Sequence, residues 1–217
     1  MNFVLDDTIR IPGSAAGDLA AFRRWTKSAD YPERGDFAFL NGDLWADMSM
    51  ETFLHNQIKG QIAAVLTLYV ATAQLGHFFA DRMRLVHEDA GLSAEPDAMF
   101  VSSQALRDKR VRLEDAEQSL EVIGVPEMVL EVVSSHSIRK DTVILRDIYA
   151  AAGIAEYWLV NPLKGQLSFD IWRLSGGRYV ATPNTSGWTK STVFGKSFRL
   201  LQEPGDDELP EYRLELR

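Results

Sequence analysis

The sequence predicts an α/β fold in which a mixed β-sheet core is flanked by helices and followed by extra β-hairpins on the C-terminal side. Three observations predict it: a strand–helix–strand pattern over 129–160, an Asn-Gly hairpin over 37–47 and a long amphipathic helix over 50–74. A strand that returns through a helix to a neighbouring strand forms a parallel pair with a right-handed crossover. A two-residue hairpin forms an antiparallel pair, so the predicted sheet contains both strand directions.

The chain is long enough for one main domain with its own core. It has 217 residues, of which 46% are hydrophobic and 25% are charged, as is typical of a globular protein rather than a disordered one. We predict an N-terminal appendage over 1–34, one domain over 35–202 and a charged tail over 203–217. The absence of cysteine excludes disulfides, zinc ribbons and thiol catalysis.

Charge and hydropathy limit the cellular compartments and the binding partners that we expect for this protein. No apolar run approaches the roughly 18 residues needed to cross a bilayer, and the N-terminus lacks a basic region followed by an apolar core, so we expect a cytoplasmic protein without membrane contact. The net charge of −8 argues against a surface that binds phosphates indiscriminately, but it is compatible with a local basic cleft. Residues 107–112 are the best local candidates for a basic patch that contacts DNA.

The N-terminal appendage carries two short elements. Residues 8–12 are typical of an edge strand that a proline ends. Asp18 is placed to cap a helix of about ten residues, in which Leu19, Phe22 and Trp25 lie on one face.

The hairpin and the helix after it have the clearest local patterns. Asn41-Gly42 lies between two apolar runs and supplies the positive φ angles of a type I′ turn. Near the start of the helix over 50–74, Glu51 and His55 lie one turn apart, where they either edge a site or belong to a solvated polar face. The buried stripe of this helix recurs at three- and four-residue spacing and consists of Leu54, Ile58, Ile62, Val65, Leu66 and Tyr69.

The middle of the chain is predicted to contain strands separated by polar segments. Short strands are expected over 76–80 and 83–86. The run 87–89 contains a histidine and two acids but lacks the helical spacing of a zinc-peptidase motif, so we interpret it as a polar loop. Residues 103–124 are strongly charged with an irregular pattern, which predicts a solvated loop or a short helix.

The strand–helix–strand unit is followed by a β-rich remainder. Its helix is predicted to begin at a cap formed by Ser135 or Ser137 and to end at Gly153, and a buried strand over 154–160 follows at once. The apolar face of the helix is assigned to Val143, Ile144, Ile148 and Ala151 or Ala152. Further strands are expected over 167–172, 178–180, 191–194 and 198–201.

Two acidic residues occupy related places in two of the apolar strands. Asp97 precedes the apolar run 98–101, and Glu131 lies inside the apolar run 128–133. Carboxylate oxygens on rigid strands are the ligands that Mg²⁺ prefers, and a divalent cation between them removes the repulsion that opposes their burial. The alternative is that Asp97 caps a strand or turn and that Glu131 pairs with an arginine, as isolated acids commonly do.

Several segments together resemble one bacterial family. They are the Asn-Gly hairpin, Met48 and His55 at the following helix, Pro96-Asp97, residues 129–134, Arg139-Lys140-Asp141 and the run from Tyr149 to Val160. This pattern is similar to that of the putative restriction endonuclease family within the PD-(D/E)XK nuclease superfamily, over roughly residues 35–175. The Glu-Tyr-Trp run at 156–158, with the tyrosine, small residues and glycine before it, is the most distinctive part.

The resemblance implies a restriction-endonuclease-like core and Mg²⁺-dependent hydrolysis of phosphodiester bonds. It implies that Asp97 and Glu131 bind Mg²⁺ or Mn²⁺, with the backbone carbonyl of Val132 as a further ligand. It also implies a nucleic-acid substrate, with DNA as the first expectation, and a homodimer that cuts both strands.

The lysine expected in this superfamily is missing from both of its usual positions, which are Val133 and Leu145 here. Lys140 is the remaining candidate to position or activate the attacking water, a task in which a nearby cation offsets developing negative charge. On an ideal α-helix Lys140 lies about 140° around the axis from Leu145, so it does not simply replace that position. A place in the loop before the helix would still allow it to reach the acids. Otherwise it is an exposed lysine at a helix start. Arg146 is a weaker substitute because a guanidinium does not act as a base.

Two functional hypotheses result. The first is a metal-dependent DNA endonuclease whose catalytic residues are Asp97, Glu131 and Lys140, with His55 or Glu51 at the edge of the site. The second is a catalytically inactive member of the fold that serves as a binding or oligomerisation module, which the missing lysine and the negative charge both favour. A different hydrolase has little support, because the chain has no Gly-x-Ser-x-Gly, P-loop or His-Glu-x-x-His motif.

Overall fold

The strands of the protein assemble into two six-stranded sheets and one four-stranded sheet. They are seen in a computed structural model that describes residues 9–165 and 167–217. In chain order the strands of these residues are β1 (Asp36–Leu40), β2 (Asp43–Asp47), β3 (Gly76–Ala80), β4 (Arg84–His87), β5 (Leu92–Ala94), β6 (Ala98–Ser102), β7 (Val111–Arg112), β8 (Glu121–Gly124), β9 (Met128–Val132), β10 (Glu156–Asn161), β11 (Ser168–Ser175), β12 (Arg178–Ala181), β13 (Asn184–Thr185), β14 (Trp188–Lys190), β15 (Ser197–Pro204) and β16 (Pro210–Leu216).

The described residues contain four α-helices, three short 3₁₀ turns and one π-helical segment. The α-helices are α1 (Leu19–Thr26), α2 (Phe53–Thr72), α3 (Ser103–Arg107) and α4 (Arg146–Ala151), with short 3₁₀ turns over Gly13–Ala16, Ala116–Gln118 and Leu163–Gly165. A π-helical segment, Lys140–Leu145, runs directly into α4. None of the helices in the described part of the chain is long and apolar enough to cross a membrane.

The central sheet has the strand order β12-β11-β10-β9-β6-β3. Its β9 and β10 pair in parallel, with Glu131 beside Leu159, so the crossover predicted over 129–160 is confirmed. The other pairs of this sheet are antiparallel, which makes it the mixed sheet that the sequence predicts. The first sheet has the order β2-β1-β5-β4-β8-β7, and the C-terminal sheet has the order β13-β14-β15-β16.

Apolar packing covers both faces of the central sheet. One face packs against the first sheet and α4, in a cluster that includes Leu85, Met99, Val129 and Tyr149. The opposite face packs against α2 and the C-terminal sheet, in a cluster that includes Ile58, Phe100, Leu130, Trp158, Phe198 and Leu214. A smaller cluster holds α1 on the first sheet through Phe22, Trp25 and Phe37. The α/β class is thereby confirmed.

The hairpin and α2 form as predicted. Asn41 and Gly42 have φ angles of 50° and 97°, as a type I′ turn requires. Helix α2 begins after Thr52, whose side chain accepts a hydrogen bond from the His55 backbone N–H. The helix in the N-terminal segment also begins as predicted, with Asp18 accepting from the Ala21 N–H.

Two local predictions are wrong, and a third is correct only in part. Residues 9–12 are not a strand, and Thr8 of that prediction lies outside the described residues. The prediction of a solvated loop or a short helix over 103–124 is correct for α3 but misses β7 and β8. These strands bury Val111 and Val122 in the first sheet, where strand pairing outweighs the charged local sequence. The predicted strand over 191–194 is instead a turn, in which the Thr192 and Val193 N–H groups donate to the buried Glu156 side chain rather than to a neighbouring strand.

The segment 203–217, predicted as a charged tail, contains the end of β15 and all of β16. Strand β16 pairs with β15 along its whole length and places Tyr212 and Leu214 in the core against α2. Leu214 is therefore buried as part of a regular strand pair, so this segment is not a loose tail.

Candidate active site

Asp97 and Glu131 meet where β6 and β9 run side by side. Ala98 pairs with Leu130, and continuing that antiparallel register by one residue sets Asp97 opposite Glu131. Residues that lie opposite each other in a sheet project to the same face, so the two carboxylates are on the same side. Both line an open cleft of about 590 Å³.

Glu131 is a buried carboxyl with one oxygen engaged and one free. The Tyr149 hydroxyl donates a hydrogen bond of 2.7 Å to Oε1, and no other hydrogen bond to this carboxyl occurs within residues 9–165 and 167–217. Burial raises the pKa of Glu131 well above its usual range, and the charges of Asp97 and Asp141 raise it further. A divalent cation at the free oxygen would offset both the cost of burying the charge and the repulsion from the neighbouring acids. The carboxyl oxygens present therefore fit the metal ion that the resemblance implies.

Asp97 is held in the ionised form by its neighbours. Its Oδ2 accepts a hydrogen bond of 2.7 Å from the Val132 N–H and lies 3.4 Å from His55 Nε2. Its Oδ1 lies 3.3 Å from Lys59 Nζ. Burial acts to raise the pKa of Asp97, but the hydrogen bond and charge of His55, together with the charge of Lys59, outweigh burial and lower the pKa. The cleft thus combines an acid whose pKa is lowered with one whose pKa is raised.

His55 reaches the site from the first turn of α2. Its Nε2 lies 2.7 Å from the Val132 carbonyl oxygen, which can only accept, so Nε2 carries the hydrogen. Its Nδ1 is buried without a hydrogen-bond partner in the described part of the chain and lies 3.6 Å from Glu51 Oε1. Burial acts to lower the pKa of His55, but Asp97 outweighs it and the pKa is raised. An ion bound to the Val132 carbonyl would therefore share that oxygen with His55.

A second possible set of ligands overlaps the acid pair. One ligand atom each from Glu51, His55 and Asp97 lies within 4.8 Å of the others. Mg²⁺ prefers oxygen ligands, whereas an imidazole ligand suits transition metals. Glu51 Oε1 already lies 2.5 Å from Lys59 Nζ, whereas Glu131 keeps an oxygen free. The pair of Asp97 and Glu131 is accordingly the better site for a hard cation.

Lys140 lies in the cleft because the helix that carries it is π-helical at this point. In a π-helix the hydrogen bonds join residues five apart, so Lys140 and Leu145 lie one turn apart on nearly the same face. The separation of about 140° predicted for an ideal α-helix is therefore wrong, and Lys140 belongs to the helical segment rather than to a preceding loop. Leu145 points into the core at 1% exposure, while Lys140 lines the cleft one turn earlier.

The Lys140 ammonium stays charged and lies near several acids. Its Nζ donates a hydrogen bond of 2.9 Å to Asp36 Oδ2. Burial acts to lower the pKa of Lys140, but the charges of Asp36, Glu131 and Asp141 outweigh it and raise the pKa. Lys140 is therefore a cation whose charge acts on Asp36, Glu131 and Asp141.

Three further residues build the site and have no assigned role in the sequence predictions. Asp141 is 2% exposed, its Oδ2 accepts a hydrogen bond from the Ser137 hydroxyl, and its Oδ1 is buried without a partner within the described residues. Burial raises the pKa of Asp141 to about 7. Asp36 holds Lys140, and Tyr149 holds Glu131. Asp141 and Tyr149 lie in the segments that carry the family resemblance, and Asp36 directly precedes the predicted hairpin, but only the fold brings the three together.

The cleft is strongly acidic. Its carboxylates are Asp36, Asp47, Glu51, Asp81, Glu95, Asp97, Glu131 and Asp141. Lys140 and Arg82 are the cations among the lining residues, and Glu95 is neutralised from behind by Arg84 at 2.5 Å. Such a surface repels a phosphate group and attracts cations. A metal ion bound in the cleft would therefore supply the positive charge that a polyanion needs in order to bind there.

Two other candidates lie away from the cleft. Arg146 stacks its guanidinium over the Trp172 ring at 5.3 Å, so this weaker substitute for the lysine does not line the site. The basic run 107–112 also lies outside the cleft lining, and its Arg110 pairs with Glu127 at 2.6 Å.

Comparisons with known proteins identify the family of the chain and a similar fold. The family model described as "Uma2: Putative restriction endonuclease" matches residues 19–200. The fold is similar to the crystal structure of a protein described as a putative nuclease belonging to DUF820 from Anabaena variabilis ATCC 29413, with a TM-score of 0.61, 15% identity, and coverage of 82% of this chain and 90% of that chain. This likeness confirms the predicted restriction-endonuclease-like fold. A search of curated proteins finds no match.

Proposed function

The chain belongs to the Uma2 family of putative restriction endonucleases, and from this premise we propose that it is a metal-dependent endonuclease that hydrolyses phosphodiester bonds in DNA. The ion is Mg²⁺ or Mn²⁺, held by Asp97, Glu131 and the Val132 carbonyl. The observation that carries the proposal is the register that sets Asp97 opposite Glu131 on one face of the sheet, both lining one cleft.

Each residue has a distinct part in the proposed reaction. Asp97 and Glu131 bind the ion, and Tyr149 orients the Glu131 carboxyl through its 2.7 Å hydrogen bond. When bound, a divalent ion lowers the pKa of a coordinated water and offsets charge on the phosphate. Lys140 positions the attacking water and stabilises the negative charge that develops in the transition state. His55, on the Val132 carbonyl, and Glu51, beside His55, form the edge of the site.

The ion also explains how an acidic cleft accepts a nucleic acid. The lining carboxylates oppose a phosphate backbone, so the substrate approaches productively only where the ion and Lys140 supply positive charge. We expect binding of DNA to depend on the metal, and we expect two copies of the chain to act together when both strands are cut.

A second candidate function is supported by one observation. Val133 and Leu145, at the usual positions of the superfamily lysine, are both 1% exposed and packed in the core. If Lys140 does not replace that lysine, the protein is a catalytically inactive member that binds nucleic acid or a partner through the same fold.

A cleavage assay decides between the two. Purified protein is incubated with plasmid DNA and Mg²⁺ or Mn²⁺, beside Asp97→Ala and Glu131→Gln. We expect nicked and linear products from the wild type but not from Asp97→Ala or Glu131→Gln. Glu117→Gln is the matched control, because Glu117 is exposed and lies outside the cleft. Equal products from the wild type and Asp97→Ala, or none from either, would remove the DNA endonuclease proposal.

A further inference from the structure

Lys59 is a buried lysine whose ammonium lies among three carboxylates. Its exposure is 9%. Its Nζ lies 2.5 Å from Glu51 Oε1, 3.0 Å from Asp81 Oδ1 and 3.3 Å from Asp97 Oδ1. The three acids come from three segments: the loop before α2, the turn after β3 and the entry to β6. A buried charge is unfavourable unless it is paired, and this arrangement pairs it three times.

The ammonium lies against oxygens that a second divalent ion would use. In two-metal sites the ions lie about 4 Å apart and act on the same phosphate. A second ion beside the one on Asp97 and Glu131 would draw on Asp97 Oδ1 and on Glu51, and both lie against Lys59. A lysine ammonium supplies positive charge at this place but no open coordination position.

We propose that Lys59 acts as a built-in cation that restricts the site to one divalent ion. The inference rests on the proposed function, since it presumes a first ion on Asp97 and Glu131. Lys59 is a positioning residue: it holds the Oδ1 side of Asp97 and excludes a second ion, and it does not contact the reacting atoms.

Removal of the ammonium should leave a usable second site. Glu51, His55 and Asp97 each offer a ligand atom, and these atoms lie within 4.8 Å of one another. Two carboxylates and an imidazole are a donor set that Mn²⁺ accepts. A neutral side chain of similar length at position 59 should then convert a one-ion site into a two-ion site.

The test counts bound Mn²⁺ on the full chain at neutral pH, by titration calorimetry and by the electron paramagnetic resonance signal of free Mn²⁺. We expect one ion per chain for the wild type, two for Lys59→Met and one for Lys59→Arg, which keeps the charge. The double variant Glu51→Gln with Lys59→Met should return to one ion, because it lacks a ligand of the second site. A purely structural role for Lys59 would not change the number of ions.

Each outcome has a defined meaning. Two ions on the wild type, or one ion on a folded Lys59→Met, would overturn the inference while leaving the proposed function intact. No ion on the wild type would overturn the proposed metal site, and the inference with it. Circular dichroism checks folding, and Lys59→Gln replaces Lys59→Met if the methionine variant does not fold.

Discussion

Asp97 and Glu131 stand opposite each other on neighbouring antiparallel strands, and both carboxylates line the same cleft. Two acids placed in this way repel each other unless a proton or a cation lies between them. Their pKa values shift in opposite directions, as this repulsion requires: the pKa of Asp97 is lowered, and the pKa of Glu131 is raised. The chemistry of the site should therefore depend on whether a proton or a metal ion occupies it.

The contribution of Asp141 should make the metal-free protein less stable as pH rises from about 4 to about 7. Burial raises the pKa of Asp141 to about 7 in the folded protein, whereas an unfolded aspartate loses its proton near pH 4. Between these values the folded state binds more protons, so this residue lowers the free energy of unfolding by about 1.4 kcal/mol per pH unit. Chemical denaturation in EDTA at several pH values measures the slope.

Asp141→Asn isolates this contribution, because an amide cannot ionise. We expect the metal-free variant to match the wild type near pH 4 and to exceed its stability at pH 8. Asp108→Asn serves as the matched control, since Asp108 is exposed. A wild-type slope that Asp141→Asn leaves unchanged would assign the effect to other groups.

The Tyr149 hydroxyl should contribute to metal affinity without binding the metal. It fixes the Glu131 carboxyl through a hydrogen bond of 2.7 Å, and loss of such an outer partner typically weakens metal binding about 10- to 100-fold. We expect Tyr149→Phe to raise the Kd for Mn²⁺ by that factor in calorimetric titrations. Tyr179→Phe is the matched control, because its hydroxyl donates to the Ile154 carbonyl, away from the cleft. Equal affinities for the two variants would contradict the assigned role.

Lys140 should affect the chemical step far more than metal binding. Its charge lies beside Glu131 but it is not a ligand, and loss of one group that stabilises transition-state charge commonly slows a reaction about 10²- to 10³-fold. We expect Lys140→Met to slow single-turnover cleavage by this factor while the Mn²⁺ stoichiometry stays the same. Lys190→Met, which removes an exposed lysine from the C-terminal sheet, is the control. Cleavage at the wild-type rate by Lys140→Met would show that another residue supplies this charge.

Glu156 should contribute to the stability of the fold rather than to catalysis. Its side chain is fully buried, and it accepts hydrogen bonds from Trp158 and Ser191 and from both the N–H and the hydroxyl of Thr192. In Glu156→Gln an NH₂ group would face some of these donors, so we expect a loss of about 3 kcal/mol, equivalent to one or two hydrogen bonds to a charged acceptor. Urea denaturation measures it, with the exposed Glu117→Gln as reference. A loss below about 0.5 kcal/mol, the range of an ordinary surface substitution, would contradict this role.

The predictions that succeeded rest on short-range patterns. The Asn-Gly turn, the cap at Asp18 and the parallel pair around the crossover each depend on neighbouring residues or on a handedness rule. The acid pair could also be proposed from sequence, because the acids stand beside or inside apolar runs that had to be strands. Asp97 and Glu131 then lie opposite each other because β6 and β9 are neighbours.

The features that sequence reasoning missed depend on tertiary contacts. No sequence pattern in residues 140–145 predicts a π-helix, yet the π-helical segment carries Lys140, which lines the cleft. Asp36 and Asp141 are far apart in the chain and meet only because the first sheet packs beside α4. Strands β7 and β8 are charged in sequence, and it is pairing with each other and with β4 that makes them strands.

The central claim is that Asp97 and Glu131 share one divalent ion, and a crystal soaked in Mn²⁺ and measured near the manganese absorption edge tests it most directly. The account predicts one anomalous peak per chain, about 2.0–2.5 Å from a carboxylate oxygen of each of the two residues. A peak held by Glu51 and His55 without Glu131, or no peak in the cleft at saturating Mn²⁺, would contradict it.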